Sequence, residues 1–215
     1  MSKIIKNVNN VDLNVPQDFQ NIINSITDRV FYLHGDIEDN NIADISYNIS
    51  KLIIQDDINC DLYTNYVRQP IFLYIQSFGG SIYDALGLID VILTSETPIN
   101  TICTSYAMSA AFMIFIVGHT RFISNRATLL YHQMSCFNFG KMKDIKEDIE
   151  QMEVLQKRMD DLVLEHTNID KKEIEYSFIH KKDLYYNAKD CIDKGIADFI
   201  IADSFTRKKD KKKRK

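Results

Sequence analysis

The stretch P-I-F-L-Y-I-Q-S-F-G-G-S, residues 70–81, decides how this chain is expected to fold. Its first half is a continuous apolar run of the kind that forms a buried strand, and two glycines follow where the run ends. A helical pattern comes next, with apolar residues at Ile82, Ala85, Leu86 and Ile89. Because glycines allow a tight turn whose backbone N–H groups point outward, the segment predicts a β–α unit with a turn that can bind an oxyanion.

The same order of strand, turn and helix recurs further along the chain. I-N-T-I-C-T, from Ile99, predicts a strand, and Y-A-M-S-A-A-F-M-I-F-I-V-G, residues 106–118, is an apolar run long enough for about three helical turns. T-R-F-I-S and T-L-L-Y-H-Q predict two strands around the turn at Asn125 and Arg126, with His132 near a strand end. This alternation predicts an α/β fold with a mostly parallel sheet.

Three further segments complete the predicted elements. R-V-F-Y-L-H, from Arg29, predicts a first strand, and a helical pattern follows it as far as Ile53. The stretch from Gln55 to Gln69 has no clear period and is interpreted as a surface excursion. The strongest amphipathic pattern in the chain runs from Asp144 to about Glu165 and predicts a long helix. Its apolar positions are Ile145, Ile149, Met152, Leu155, Met159 and Leu162.

Composition indicates one globular domain of ordinary type. The chain has 215 residues, of which 45% are hydrophobic and 26% charged, and no linker or repeat divides it. We therefore predict an N-terminal arm over residues 1–28, a domain over residues 29–205 and a basic, disordered tail over residues 206–215. The longest apolar stretch is too short to span a membrane, and the N-terminus lacks a signal or transit pattern, which favours a cytoplasmic protein without a membrane contact.

The cysteines and the tail bear on cofactors and partners. None of the four cysteines forms a C-x-x-C pair, so neither a metal nor a redox site is predicted, and no cofactor is expected. Eight of the nine residues from Arg207 to Lys215 are basic. Such a block is typical of a solvated tail, and it could also contact nucleic acid or an acidic partner.

Ser109, at the start of the apolar run, admits two interpretations. Serine is common at helix starts because its hydroxyl accepts a bond from a free backbone N–H. A serine there can also be a nucleophile, since backbone donors and the positive end of the helix dipole converge on the same place. A nucleophile needs a base, and His132, at the end of an apolar strand, is the best placed of the five histidines. Thirty acidic residues could orient that base, and spacing alone does not choose among them.

The motifs together resemble one known family, the proteolytic subunit of the Clp protease (ClpP), from about Arg29 to Asp203. R-V-F-Y-L-H-G-D-I-E-D resembles its first strand, I-F-L-Y-I-Q-S-F-G-G-S its S-P-G-G oxyanion segment and I-C-T-S-Y-A-M-S-A-A its nucleophile region. L-L-Y-H-Q-M resembles its base strand, and K-D-L-Y-Y-N-A-K-D-C-I-D-K-G-I-A-D the segment that begins with its triad aspartate. These segments follow one another in the family's order.

The resemblance implies a function and a set of roles. Ser109 would be the nucleophile, His132 the base and Asp183 the orienting carboxylate, while the N–H groups of Gly80 and Ala110 would form the oxyanion hole. The implied fold is the ClpP/crotonase-like one, with repeated β-β-α units and a long amphipathic handle helix. The implied activity is that of a serine endopeptidase acting on unfolded proteins or peptides.

Assembly and partners are implied in the same way. In ClpP-like proteins seven subunits form a ring and two rings enclose a chamber, so a heptamer or tetradecamer is expected, with an AAA+ unfoldase as partner. Two alternatives stay open. One is a catalytically silent ring subunit with a structural role, and the other is a crotonase-type enzyme acting on acyl-CoA thioesters with comparable oxyanion turns.

The chain departs from the family pattern at several positions. Phe78 replaces the usual proline beside the glycines, Met134 replaces the proline after H-Q, and Ser105 and Tyr106 replace a small-and-Gln pair. Lys181 and Lys182 stand where an Asp-Arg pair is common, and residues 58–69 resemble an insertion. These changes predict an altered substrate pocket and a weaker or different ring contact.

Overall fold

Strands and helices alternate along the chain, as the sequence predicts. The computed structural model describes residues 28–135 and 139–201; the predicted tail, and the predicted arm except Asp28, lie outside them. The strands are β1 (Val30–His34), β2 (Ile71–Ser77), β3 (Ile99–Met108), β4 (Thr120–Ser124), β5 (Thr128–Tyr131), β6 (Leu184–Asn187) and β7 (Phe199–Ile201). The helices are α1 (Asp39–Leu62), α2 (Ile82–Leu93), α3 (Ala110–Ile116), α4 (Met142–His166), α5 (Lys171–Ile179) and α6 (Ala188–Asp193).

The seven described strands form one sheet, which confirms the predicted α/β class. Its main path is β1-β2-β3-β4-β7, and every pair along this path is parallel. β5 runs parallel to the last part of β3 and antiparallel to β6. The long strand β3 therefore has two neighbours on one side, β4 beside residues 100–103 and β5 beside residues 106–108. Because of this split, β5 and β6 lie beside the end of β3, where Ser109 follows.

Helix α3 lies at the centre of the core. All seven of its side chains are buried, and the Thr101 hydroxyl, itself buried in β3, donates a 2.8 Å hydrogen bond to the Phe115 carbonyl. The prediction of about three helical turns was wrong, because Tyr106, Ala107 and Met108 are strand residues paired with β5. An apolar run does not by itself distinguish a buried strand from a buried helix.

The surface excursion predicted from Gln55 was also wrong over its first half, since α1 continues without a break to Leu62. The period is hidden because a charged residue, Asp56, occupies a core-facing position and is fully buried. Arg29 donates a 3.0 Å hydrogen bond to its Oδ2, and the Thr97 hydroxyl donates one of 2.8 Å. A buried carboxylate with these partners fits the core face as an apolar residue would.

The long predicted helix is confirmed as α4, which we call the handle helix. Its second half packs against the domain through Leu155, Met159 and Val163, which are buried. Its first half leaves Met142, Ile149 and Val154 exposed. The apolar stripe is thus longer than the surface that one chain offers it. No helix of the described residues combines the length and the apolar character needed to cross a membrane.

Candidate active site

Ser109 occupies the turn between β3 and α3 in a strained backbone conformation. Its φ of 55° and ψ of −125° are a combination that costs a residue with a side chain on the order of 1–3 kcal/mol. Its N–H donates a 2.9 Å bond to the Leu130 carbonyl, and its carbonyl accepts bonds from the first turn of α3. Its hydroxyl makes no capping hydrogen bond. The capping interpretation therefore does not describe this serine, and the hydroxyl is left for other chemistry.

The glycine turn after β2 packs directly against the serine turn. Gly79 has a φ of 102°, and a Cβ on it would come within 2.7 Å of the Ser109 Cβ. Gly80 has a φ of 148°, and a Cβ on it would lie 2.2 Å from the Ile37 carbonyl oxygen. Both positions need glycine because of the backbone conformation and because of the close approach. The two turns are therefore held as one unit.

Two residues that sequence reasoning missed hold the glycine turn. The buried Ser77 hydroxyl accepts a 3.0 Å hydrogen bond from the N–H of Gly79. Ile37 straps the turn from the other side, because its N–H donates to the Gly79 carbonyl and its carbonyl accepts from the N–H of Ser81, each at 2.8 Å. Ser77 could have been suspected from its place before the two glycines, whereas nothing in the sequence near Ile37 indicates its contact.

The N–H groups of Gly80 and Ala110 find no hydrogen-bond acceptor among residues 28–135 and 139–201. Both residues line the same cleft of about 450 Å³ as Ser109. The handle helix forms the opposite wall, and the wall side chains are mainly apolar. The cleft residues besides these three are Ser81, Ile82, Tyr83, Met134, Ser135, Asp148, Gln151, Met152 and Leu155. The cleft thus combines free backbone donors, a hydroxyl and apolar walls.

His132 and Asp183 adjoin the paired ends of β5 and β6. Tyr131 is opposite Leu184 in the antiparallel register, so the next residue on each strand is His132 and Asp183 respectively. β5 also pairs with β3 up to Met108 and Leu130, which brings the histidine segment beside Ser109. His132 is partly buried and Asp183 is exposed. Strand pairing thus brings the three backbones together, but within the described part of the chain no hydrogen bond joins the three side chains.

One departure from the family pattern lines this cleft, and another, Phe78, directly precedes its glycine turn. The ring of Phe78 stacks on that of Tyr106, with the two centroids 4.3 Å apart. Met134 lines the cleft itself. The Lys182 ammonium lies 5.6 Å from the centroid of the Tyr176 ring. The two aromatic replacements, Phe78 and Tyr106, therefore contact each other.

Across residues 28–135 and 139–201, no group of three or more His, Cys, Asp or Glu side chains is arranged to hold a metal ion.

A model of the protein family described as Clp protease matches residues 17–204 of the chain. The match includes both strand-to-helix turns, the β5–β6 pair and the handle helix.

Proposed function

The chain belongs to the Clp protease family, and from this premise we propose that it is a serine endopeptidase that uses Ser109, His132 and Asp183. Family membership supports peptidase activity of the ClpP type in general. The residue roles are our proposal. They rest on the backbone register that aligns the three residues and on the two free N–H groups beside Ser109.

In the proposed mechanism, Ser109 Oγ attacks the carbonyl carbon of the scissile peptide bond while His132 accepts the hydroxyl proton. The carbonyl oxygen becomes an oxyanion and accepts hydrogen bonds from the N–H groups of Gly80 and Ala110. His132 then gives its proton to the leaving amine as the C–N bond breaks, leaving an acyl group on Ser109. Water, deprotonated by His132, hydrolyses this ester. Asp183 orients the imidazole and stabilises its positive charge.

The observation that carries this proposal is the combination found at Ser109. Ser109 has a strained backbone and a hydroxyl that makes no capping bond. Beside it lie the N–H groups of Gly80 and Ala110, which have no acceptor among the described residues. Strain of this kind persists where the surrounding structure enforces it, and such sites are often catalytic. A silent ring subunit would have no chemical need for these features.

A fluorophosphonate probe tests the nucleophile. We expect the full chain to be labelled, with the modified peptide containing Ser109, and we expect Ser109→Ala to abolish both labelling and peptide hydrolysis. Ser105→Ala is the matched control, since Ser105 is an exposed serine of the same strand, and it should leave labelling intact. Absence of labelling in the assembled protein would favour the silent subunit. Turnover of acyl-CoA thioesters by Ser109→Ala would favour the crotonase-type alternative.

We further propose that the substrates are unfolded proteins or peptides, cleaved inside a heptameric or tetradecameric chamber. The exposed apolar residues on the first half of the handle helix support such an assembly, because a stripe of this kind is covered when it meets another subunit. Light scattering coupled to size exclusion should give a mass of seven or fourteen subunits. A fully active monomer would exclude the chamber and leave the roles of the three residues intact.

A further inference from the structure

The handle helix holds the histidine segment from both sides. Gln156 Oε1 accepts a 2.7 Å hydrogen bond from the N–H of Met134, two residues after His132. Gln156 Nε2 donates a 3.1 Å bond to the hydroxyl of Tyr131, the residue before His132. The same Nε2 donates a 2.8 Å bond to Asp160 Oδ1, one turn further along the helix. One side chain thus binds a residue on each side of the proposed base, Tyr131 before it and Met134 two positions after it.

The second anchor of this network is a buried tyrosine. Tyr131 packs its ring against Phe112 and Phe178, and its hydroxyl donates to the Asp160 carboxylate. Burial and the neighbouring carboxylate raise the pKa of Tyr131, so the hydroxyl stays protonated and remains a donor. The Gln156 amide, the Tyr131 hydroxyl and Asp160 Oδ1 are thus joined by hydrogen bonds with matched donors and acceptors, which restrains the arrangement.

The histidine segment, residues 132–135, has few other hydrogen bonds to hold it, and its other anchor is the partly buried Met134 side chain, which packs against the core. β5 ends at Tyr131, and the bond from Met134 to Gln156 is the one hydrogen bond that residues 132–135 make to other described residues. By contrast, Ser109 is bonded through both its N–H and its carbonyl. The orientation of His132 therefore depends on the handle helix.

We infer that Gln156 is a positioning residue for the reaction, which fixes the backbone on either side of His132 together with Tyr131 and Asp160. This inference rests on the proposed function, because the hydrogen bonds from Gln156 matter for the rate only if His132 is the base. It does not require Gln156 to touch substrate. Loss of these hydrogen bonds should let residues 132–135 shift, and with them the imidazole of His132. A displacement of about 1 Å can lower the rate about 100-fold.

The test uses the assembled full-length protein. It compares Gln156→Leu with a pair of changes, Gln156→Glu and Asp160→Asn, that exchange the carboxylate and the amide between the two positions. Gln156→Leu removes both ties and should lower the rate of fluorophosphonate labelling and kcat by about 10- to 100-fold, with KM changed less than about 3-fold. Gln156→Glu alone should be similarly impaired, because it faces the Asp160 carboxylate. Adding Asp160→Asn reverses the bond directions: the introduced amide N–H donates to the introduced carboxylate and to the Tyr131 oxygen, and the Tyr131 hydroxyl donates to that carboxylate. The double variant should therefore regain most of the rate.

Asp161→Asn is the matched control. Asp161 is the neighbouring carboxylate on the same helix, exposed and paired with Lys157, and its replacement should change neither the labelling rate nor kcat. Thermal unfolding of every variant shows whether a rate loss reflects unfolding. An unimpaired Gln156→Leu enzyme, or a double variant no better than Gln156→Glu, would overturn the inference.

Hydrogen exchange provides a readout that does not depend on activity. Peptides containing Met134 should exchange faster in Gln156→Leu than in the wild type, and the double variant should restore protection. Unchanged exchange would overturn the inference even if the rate fell. If the wild-type protein were never labelled, the proposed function would fail, and exchange at Met134 would still decide whether the tie exists.

Discussion

The two halves of the candidate site are built in different ways. The serine half, residues 77–81 and 109–116, is enclosed by the core, and its two turns are locked by strand pairing and by close packing at both glycines. The histidine half, residues 128–134 and 183–187, rests on two four-residue strands at the side of the sheet and on the handle helix. In the serine half, the turns are fixed by contacts within one chain. In the histidine half, the backbones of His132 and Asp183 are aligned, but no hydrogen bond joins their side chains within the described residues.

Because of this difference, substitutions in the two halves should affect the free energy of unfolding and the reaction rate to different extents. Changes in the serine half must disturb buried backbone, so they should cost folding free energy as well as rate. Changes at the exposed end of the histidine half should cost rate alone, because little of the core depends on it. Contacts that complete the site, from substrate or from other subunits, have to act on the histidine half. The four predictions below test this division, from the largest expected effect to the smallest.

Replacing the base should have the largest effect on rate with little effect on folding. His132→Ala should lower kcat for peptide hydrolysis by about 10⁴- to 10⁶-fold, because loss of one member of a cooperating triad costs nearly as much as loss of all. Its thermal midpoint should stay close to that of the wild type. His34→Ala is the control, since His34 is an exposed histidine at another strand end. Substantial residual hydrolysis by His132→Ala would remove this histidine from the mechanism.

Asp183→Asn should have a smaller but still large effect on rate. It keeps the shape of the side chain but removes the charge that supports the imidazolium, and we expect a loss of about 10³- to 10⁴-fold in kcat. Because Asp183 is exposed, urea unfolding should show no change in stability. Asp61→Asn, at another exposed aspartate, is the control. A rate near that of the wild type would mean that a different carboxylate orients His132.

A substitution at Asp56, far from the cleft, should lower the free energy of unfolding without altering either half of the site. Asp56 lies near the amino ends of the strands, where burial alone would raise its pKa. Hydrogen bonds from Arg29, Tyr66 and Thr97, with the Arg29 charge, lower the pKa below its ordinary value instead. Asp56→Asn leaves Arg29 without its partner, so urea unfolding at pH 7 should show a loss of about 3 kcal/mol.

The pH dependence of this loss has a definite sign. A lowered pKa in the folded state means that the stabilisation by Asp56 is present above the unfolded pKa and is lost as the pH falls through the folded one. The stability difference between wild type and Asp56→Asn should therefore shrink below about pH 4. The folded fraction of the variant should keep the wild-type rate of labelling. A difference that grew in acid would contradict the assigned role of Asp56.

Gly80→Ala should destabilise the protein less than Asp56→Asn does, and it should show that the serine half couples folding to chemistry. The added methyl group would meet the Ile37 carbonyl oxygen at 2.2 Å in a backbone conformation that alanine rarely adopts. We expect a loss of about 2 kcal/mol in urea unfolding, together with slower labelling. Gly87→Ala is the matched control: it lies within α2 with no neighbour near its Cβ position, and it should stabilise by about 0.5–1 kcal/mol. Equal stability of the two variants would contradict the locked turn.

Much of the fold could be predicted from local patterns. The strand at residues 71–77, the glycine turn and the handle helix each have a period or a turn residue that indicates their structure. The predictions that were wrong concern places where local signals are ambiguous. Tyr106 to Met108 are strand because β5 pairs with them, and α1 extends past Gln55 because Asp56 is satisfied by residues distant in sequence. Long-range partners are not visible in a local window.

By itself, the sequence determined the α/β class, the family resemblance and the choice of Ser109, His132, Asp183, Gly80 and Ala110 as candidates. The class and the candidates Ser109 and His132 follow from residue types and short spacings, which the chain carries locally, whereas the roles of Asp183, Gly80 and Ala110 follow from the family resemblance. Only the tertiary structure decided how those residues are held: the strain at Ser109, the hydrogen bonds from Ile37 to the glycine turn and the hydrogen bonds from Gln156 on either side of His132. The physical reason is that a hydrogen bond between residues more than twenty positions apart depends on the path of the whole chain, and no local spacing specifies that path.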